Sequence, residues 1–247
     1  MRNFGARQGR GQYLSFIDGD CSIPERYFEL AVSVLLSTGA AATGCEIHVP
    51  EQPHWIESAW HDLHYVGRTR DVQYLNSGNF FVSRSAFEQV GGFREDMLTG
   101  EDAEIGERLV TAGERIRACP EVKAIHFGNP KSIPQFYRRN VWHGLGMFGT
   151  VSWNRLDRPT AMLAAHLIAT VVGVAALLTF PLSLAWRMFT AFGLQLMAPV
   201  ATVVYRGHRT GRWRSGAAGI LLYWLYYWAR LQALALVTLG WSERYRK

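Results

Sequence analysis

The sequence predicts an open α/β domain joined to a membrane region, and three observations carry that expectation. Strand-like runs alternate with helix-like runs between residues 12 and 126. Charge divides along the chain: up to Pro159 there are 17 Lys and Arg against 19 Asp and Glu, whereas Thr160–Lys247 holds 9 against 1. The basic third also carries the charge-free runs, with no Asp, Glu, Lys or Arg between Arg158 and Arg187 or from Met188 to Tyr205.

Residues 12–17 read as a strand. Pro24 to about Ser37 reads as a helix with Pro in its first turn and Ser22 and Glu25 spaced as a capping box. A short strand is expected over Ala41–Val49, a loop to Pro53, and a helix from Trp55 to about Val66. "NSGNFFVS" (Asn76–Ser83) reads as a strand entered through a glycine turn, and "RSAFEQ" as a short helix stopped by Gly91 and Gly92. An amphipathic helix follows over Glu101–Ala112, stopped by Gly113, then short strands near Arg115–Cys119 and Val122–His126. The three cysteines, Cys21, Cys45 and Cys119, lack CxxC spacing and fit a reducing compartment without disulfides or a zinc site.

In the last third, "LIATVVGVAALLTFPLSLAW" (Leu167–Trp186) is long enough as a helix to cross the ~30 Å hydrocarbon core. A transmembrane hairpin is expected over about 162–205, turning near Pro181–Arg187, then a basic loop at 206–215 and a third apolar helix at 216–240. "RGHRTGRWR" follows an apolar segment directly, so it reads as a positive-inside loop and no nucleic-acid partner is expected. In the third helix Tyr223, Tyr226, Tyr227 and Arg230 form one stripe. That suits either a helix lying in the interface or a span with the stripe against protein, and the basic tail "SERYRK" favours the first.

Asp18 and Asp20 close the first strand, where open α/β sheets bind ligands beyond their carboxyl ends. Carboxylates one residue apart can share a hard cation that keeps sites for phosphate oxygens; Asp-Gly-Asp is equally ordinary turn chemistry. An EF-hand reading fails because its required glycine is Ile23, followed by Pro24. Glu101 and Asp102 open a helix whose dipole favours an ionised carboxylate, suited to a general base or simply to a helix start. His126 ends a short strand and reads as a metal ligand or a structural histidine. Gln135, Arg138, Arg139 and Trp142 lie on an expected amphipathic helix, whose arginines suit a phosphate or anionic headgroups. His48, His54, His61 and His64 lack a metal motif, and a solvated or acceptor-facing helix is the expectation there.

The order of these blocks resembles family 2 glycosyltransferases, membrane-attached members in particular: "RNFGARQGRGQYLSFIDGDC", then "NSGNFFVSRSAFEQVGGFREDMLTGEDAEIGERLVTAG", then "VKAIHFG", then the basic helix and apolar segments. The likeness covers about residues 2–145. It implies a partial GT-A fold, an Mg or Mn ion, a nucleotide-sugar donor and inverting transfer to a hydroxyl. Asp18 and Asp20 match the D-x-D motif, Asp102 the catalytic base with Glu101 beside it, and His126 a histidine often near the metal. Gln135, Arg138 and Arg139 give Q-x-x-R-R where processive relatives carry Q-x-x-R-W, which implies one or a few transfers to a lipid-linked or other membrane acceptor.

"RNFG" matches a helix that in the family follows two or more strand-helix units gripping the nucleotide, so those units are expected to be missing here. The organisation expected is a partial catalytic domain over 1–134, an amphipathic interface segment over 135–159 and a membrane region over 160–247. The enzyme would sit in the cell membrane as a multi-pass protein with its catalytic part facing the cytoplasm. A non-catalytic membrane-anchored remnant or partner subunit is the alternative.

Overall fold

The computed structural model describes the chain except residues 46, 98, 151–157, 182 and 242–247, and the side chains of 147–150. The tail "SERYRK", read above as favouring a helix that lies in the interface, lies outside the described residues. Two compact units result, one of residues 1–53 and 65–129, the other of residues 54–64 and 130–247.

The first unit holds α1 (Arg2–Gln8), β1 (Tyr13–Ile17), β2 (Cys21–Ser22), α2 (Tyr27–Thr38) and β3 (Ala42–Gly44). After the segment belonging to the other unit come β4 (Arg70–Asp71), β5 (Asn79–Ser83), α4 (Arg84–Gln89), α5 (Glu101–Thr111), β6 (Ile116–Ala118) and β7 (Ile125–His126). Its main sheet has the order β1-β5-β3-β6-β4, and β2 pairs separately with β7. The expected open α/β sheet is a mixed one, in which β3 and β6 are parallel and the other neighbours antiparallel. The reason is local. The Asn76–Gly78 turn, closed by the Asn79 N–H on the Asn76 carbonyl (2.9 Å), starts β5 at Asn79 opposite Ile17, so β5 runs back along β1 to pair Ser83 with Tyr13.

The expected capping box of α2 does not form, because Ser22 is paired with Ile125 in the small sheet. The helix starts at Tyr27 with Arg26 at its cap. One face of the main sheet packs Leu14, Phe16, Phe80 and Val82 against Phe87, Phe93, Ile105 and Leu109; the other packs Phe81 against Tyr27, Ala31 and Leu35. Alternate residues of β1 and β5 thus go to opposite faces, as a pleated strand requires. Each such side chain, fully buried, contributes roughly 1.5–3 kcal/mol. β1 is the edge of the sheet, with β5 as its one strand neighbour among the described residues.

The second unit comprises α3 (Trp55–His64), α6 (Ile133–Thr150), α7 (Arg158–Thr179), α8 (Leu184–Thr210) and α9 (Gly216–Thr238). α7, α8 and α9 are each long and apolar enough to cross a membrane. α8 continues through Thr210, so the expected basic loop at 206–215 is half helix. By length and composition the third apolar segment could cross a membrane. The stripe of α9 faces protein: the Tyr227 and Thr202 hydroxyls share a 2.6 Å hydrogen bond, and Tyr223 lies 3.2 Å from His64 Nε2. Between α7 and α8, Gln195 donates to the Thr170 hydroxyl at 2.7 Å, the type of polar tie that joins apolar helices. α3 is not solvated, since Leu63 packs with Val203, Tyr223 and Tyr227, and the Trp60 ring lies 5.1 Å from that of Tyr223.

Candidate active site

β1 delivers Asp18, Gly19 and Asp20 into a turn closed by the Cys21 N–H on the Asp18 carbonyl (2.9 Å). The chain then enters β2, whose register sets Cys21 opposite His126, and the Phe127 N–H donates to the Asp20 carbonyl at 2.9 Å. These backbone bonds hold Asp20 Oδ2 3.2 Å from His126 Nε2. His126 is buried and Asp20 exposed.

The other ring nitrogen fixes the chemistry of that pair. Asn129 donates its Nδ2 to the His126 carbonyl (3.1 Å), which turns its Oδ1 to His126 Nδ1 at 2.9 Å. With Nδ1 donating, the neutral ring directs its Nε2 lone pair at a carboxylate oxygen, and two lone pairs then face one space. A cation suits that space, either a proton on Nε2 or a metal ion. Gly128 keeps it open, because a Cβ there would overlap the Asp20 carboxylate. Cys21 completes a group of three side chains whose ligand atoms lie within 4.8 Å of one another. Burial, then the charges of Asp18 and Asp20, push its thiol up to about 11, and the carboxylate and imidazole are the harder donors of the group. That set fits a hard or borderline divalent cation such as Mg or Mn.

Asp18 takes a different partner from Asp20. Its Oδ1 accepts from Arg2 Nη2 at 2.9 Å, and Arg2 Nη1 donates to Glu101 Oε1 at 2.8 Å, so one guanidinium links the end of β1 to the start of α5. A Cβ at residue 78 would lie 2.6 Å from Asp18 Oδ2, which makes glycine the residue that admits Asp18 beside β5. Next to Arg2, Asn3 makes a reciprocal pair with the backbone of Phe93, accepting from its N–H at 2.9 Å and donating to its carbonyl at 2.7 Å. Both Gly91 (φ 79°) and Gly92 (φ 73°) take the left-handed conformation, and Arg108 of α5 donates to the Gly92 carbonyl at 2.7 Å while pairing with Glu104 at 2.6 Å. The segment leading into Glu101 and Asp102 is therefore tied at several points.

Asp102 is half-buried, with Oδ1 accepting the Ala103 N–H at 2.8 Å. The helix dipole, expected to favour its ionised form, is opposed by its surroundings. Loss of water contact, and then the charge of Glu101, raise its carboxyl above the ordinary aspartate value, against the lowering pull of the Ala103 and Ser77 backbone. Such a carboxylate holds a proton more readily than a solvated one.

Asp18, Asp20, Glu101, Asp102 and His126 all belong to the first unit, whereas Gln135, Arg138 and Arg139 lie on α6 of the second. Gln135 there accepts the Lys131 N–H at 2.9 Å, Arg138 is exposed and Arg139 half-buried. Arg2, Asn3, Gly128 and Asn129 were not singled out in the sequence, and Cys21 was read only as one of three cysteines without a disulfide or a zinc site. A glycine and an asparagine two and three residues after a strand-end histidine were the available signal for Gly128 and Asn129.

The chain is similar to known glycosyltransferases. The chain is 26% identical over 133 residues to the glycosyltransferase AglE of Haloferax volcanii, covering 52% of this chain and 44% of that protein. It is 33% identical over 85 residues to the N-acetylglucosaminyl-diphospho-decaprenol L-rhamnosyltransferase of Mycobacterium tuberculosis, covering 32% of this chain and 28% of that one. The chain thus spans less than half the length of these relatives. In fold it is similar to the mannosyltransferase PcManGT of Pyrobaculum calidifontis, solved with GDP-Man and Mn2+, at a TM-score of 0.51 and 16% identity over 95% of this chain and 64% of that one. The profile of glycosyl transferase family group 2 matches residues 13–241, nearly the whole chain, and the protein belongs to that family.

Proposed function

We propose that the chain moves a sugar from a nucleotide-sugar to a hydroxyl on a membrane-bound or lipid-linked acceptor, with inversion at the anomeric carbon. The observation that carries this reading is the facing pair of Asp20 Oδ2 and His126 Nε2 at 3.2 Å, at the end of a strand in a family 2 fold. Asp20 and His126 would hold a divalent Mg or Mn ion, with Asp18 steadied beside them by Arg2. Bound there, such an ion offsets charge developing on the leaving diphosphate. The carboxylate of Asp102 accepts the proton of the acceptor hydroxyl as its oxygen bonds the anomeric carbon and the bond to the diphosphate breaks on the opposite face. Glu101, paired with Arg2, keeps the start of α5 in place. Gln135, Arg138 and Arg139 are assigned to phosphate or headgroup contacts.

The acceptor class draws on the rhamnosyltransferase relative, whose own name specifies a diphospho-decaprenol substrate. The three apolar helices support a multi-pass place in the cell membrane, with the catalytic part facing the cytoplasm where nucleotide-sugars are made. The test is release of nucleoside diphosphate, and labelling of membrane lipid, by the full chain with Mn and a panel of guanosine, uridine and thymidine diphosphate sugars. Turnover with one of them that stops on chelation is expected. A chain that neither binds nor consumes any of them would support the second reading, a non-catalytic partner subunit.

Gly128→Ala supplies a narrower check. The added methyl displaces Asp20 from His126, so Mn affinity measured by calorimetry should fall tenfold or more while the circular dichroism spectrum is unchanged. Unaltered Mn affinity would remove Asp20 and His126 from the metal assignment.

A further inference from the structure

The sugar-transfer reading leaves Cys21 without a task. The antiparallel register of β2 and β7 sets it directly opposite His126, so the two side chains leave the small sheet on one face, beside Asp20. Its sulfur, a carboxylate oxygen of Asp20 and a ring nitrogen of His126 all lie within 4.8 Å of one another. The other two thiols are buried and engaged elsewhere: Cys45 receives Asn79 Nδ2 at 3.8 Å, and Cys119 donates to Glu121 Oε2 at 2.9 Å. Cys21 is half-buried.

The spacing suits a tetrahedral ion. Ligand atoms bonded to one zinc at roughly 2.0–2.3 Å stand about 3.5 Å from each other. Asp20 Oδ2 and His126 Nε2, at 3.2 Å, are already that close, and the sulfur, no more than 4.8 Å from either, closes the set by a small side-chain movement. The backbone beneath is tied on both sides, by the Cys21 N–H on the Asp18 carbonyl and the Phe127 N–H on the Asp20 carbonyl, both at 2.9 Å. Asn129 takes His126 Nδ1, which leaves Nε2 as the ligating nitrogen.

Donor type decides which ion gains most from the sulfur. Mg and Mn favour oxygen, and Mn stands low in the order of affinities for a given site. Zinc stands high in that order and takes thiolate, imidazole and carboxylate together, with three protein ligands leaving its fourth position open.

We propose that Asp20, Cys21 and His126 bind a zinc ion, in competition with Mg or Mn for the carboxylate and the imidazole. Zinc displaces the thiol proton to solvent and joins Cys21 to the other two. The spacing of the cysteines predicts no zinc site, because strand register and not sequence proximity brings Cys21 to His126. By taking both donors of the harder ion, zinc arrests sugar transfer; that consequence rests on the reading above, and the zinc site itself does not.

The test uses the full chain in a neutral detergent, with cobalt as the spectroscopic stand-in for zinc. The wild type should show a thiolate-to-cobalt absorption band that added zinc abolishes. Cys21→Ser should lose the band and about 100-fold in zinc affinity, as much as losing an outer partner of a metal costs at most, with Mn affinity unchanged. On the unaltered chain, zinc should slow alkylation of Cys21 by iodoacetamide, read by mass spectrometry, and Mg should not; this arm decides the matter if Cys21→Ser does not fold. No band in the wild type, a band that persists in Cys21→Ser, Mn affinity that falls in step with zinc affinity, or alkylation indifferent to zinc would overturn the proposal. The two readings fail separately. Zinc binding through Cys21 without turnover of any nucleotide-sugar removes sugar transfer alone, and Mn-dependent turnover without the cobalt band removes the zinc site alone.

Discussion

Asp102→Asn is expected to lower the rate of sugar transfer by roughly 10²–10⁴-fold, the usual contribution of a positioned general base, with donor affinity unchanged. The amide keeps the size of the side chain and an oxygen for the Ala103 N–H, so loss of rate with intact binding separates a proton acceptor from a structural carboxylate. The pH profile gives a second reading of the same group. Burial and Glu101 raise the Asp102 carboxyl, and the base is needed ionised, so the rate should fall with falling pH at values above those typical of a solvated aspartate. Stability should behave in the opposite sense. The native state holds this proton more tightly than the unfolded chain, so this group's contribution declines as pH rises from the unfolded value through the raised one. Asp102→Asn removes that cost at neutral pH, and a melting temperature equal to or above wild type is expected. A variant that loses donor binding and melts lower would instead make Asp102 a structural residue.

What the sequence revealed of the site was its chemistry; what it concealed was the pairing. Asp18, Asp20, Asp102 and His126 were legible because each stands where an element ends, and element ends follow from hydrophobic period and glycine position. That Asp20 meets His126 while Asp18 turns to Arg2 was not legible, since those contacts depend on strand register and join residues up to 106 apart. Strand direction was not legible for a similar reason: nothing in the composition of "NSGNFFVS" states that it runs back along β1. In the membrane region the length of α9 was visible, but its destination was not. A tyrosine stripe with one arginine looks the same whether headgroups or other helices receive it, and only the partners, Thr202 and His64, decide the matter.

Asn79→Leu is expected to cost the first unit about 3–5 kcal/mol, the largest stability change predicted for a single side chain outside the aromatic core. Asn79 is fully buried at the start of β5, and both ends of its amide are used. Nδ2 donates to the carbonyls of Val122 (2.9 Å) and Cys45 (3.2 Å), and Oδ1 accepts the hydroxyl of Tyr27 at 2.8 Å. Leucine matches the volume but withdraws these partners, leaving the equally buried Tyr27 hydroxyl without an acceptor there; burial holds that hydroxyl up at about 12, so it cannot escape by ionising. Tyr27→Phe removes the donor instead and should cost only about 1 kcal/mol. In the double variant no hydroxyl is orphaned, so its cost should fall short of the sum of the two by about 1–2 kcal/mol. Hydrogen exchange of the Asn79–Ser83 amides in the full chain measures all three, because these amides open with the sheet. Additive costs would mean that the Tyr27 contact contributes nothing. The consequence reaches the candidate site, for Asn79 follows Gly78, whose missing side chain admits Asp18: if this polar junction loosens, the turn that presents both acids loses the strand it rests on.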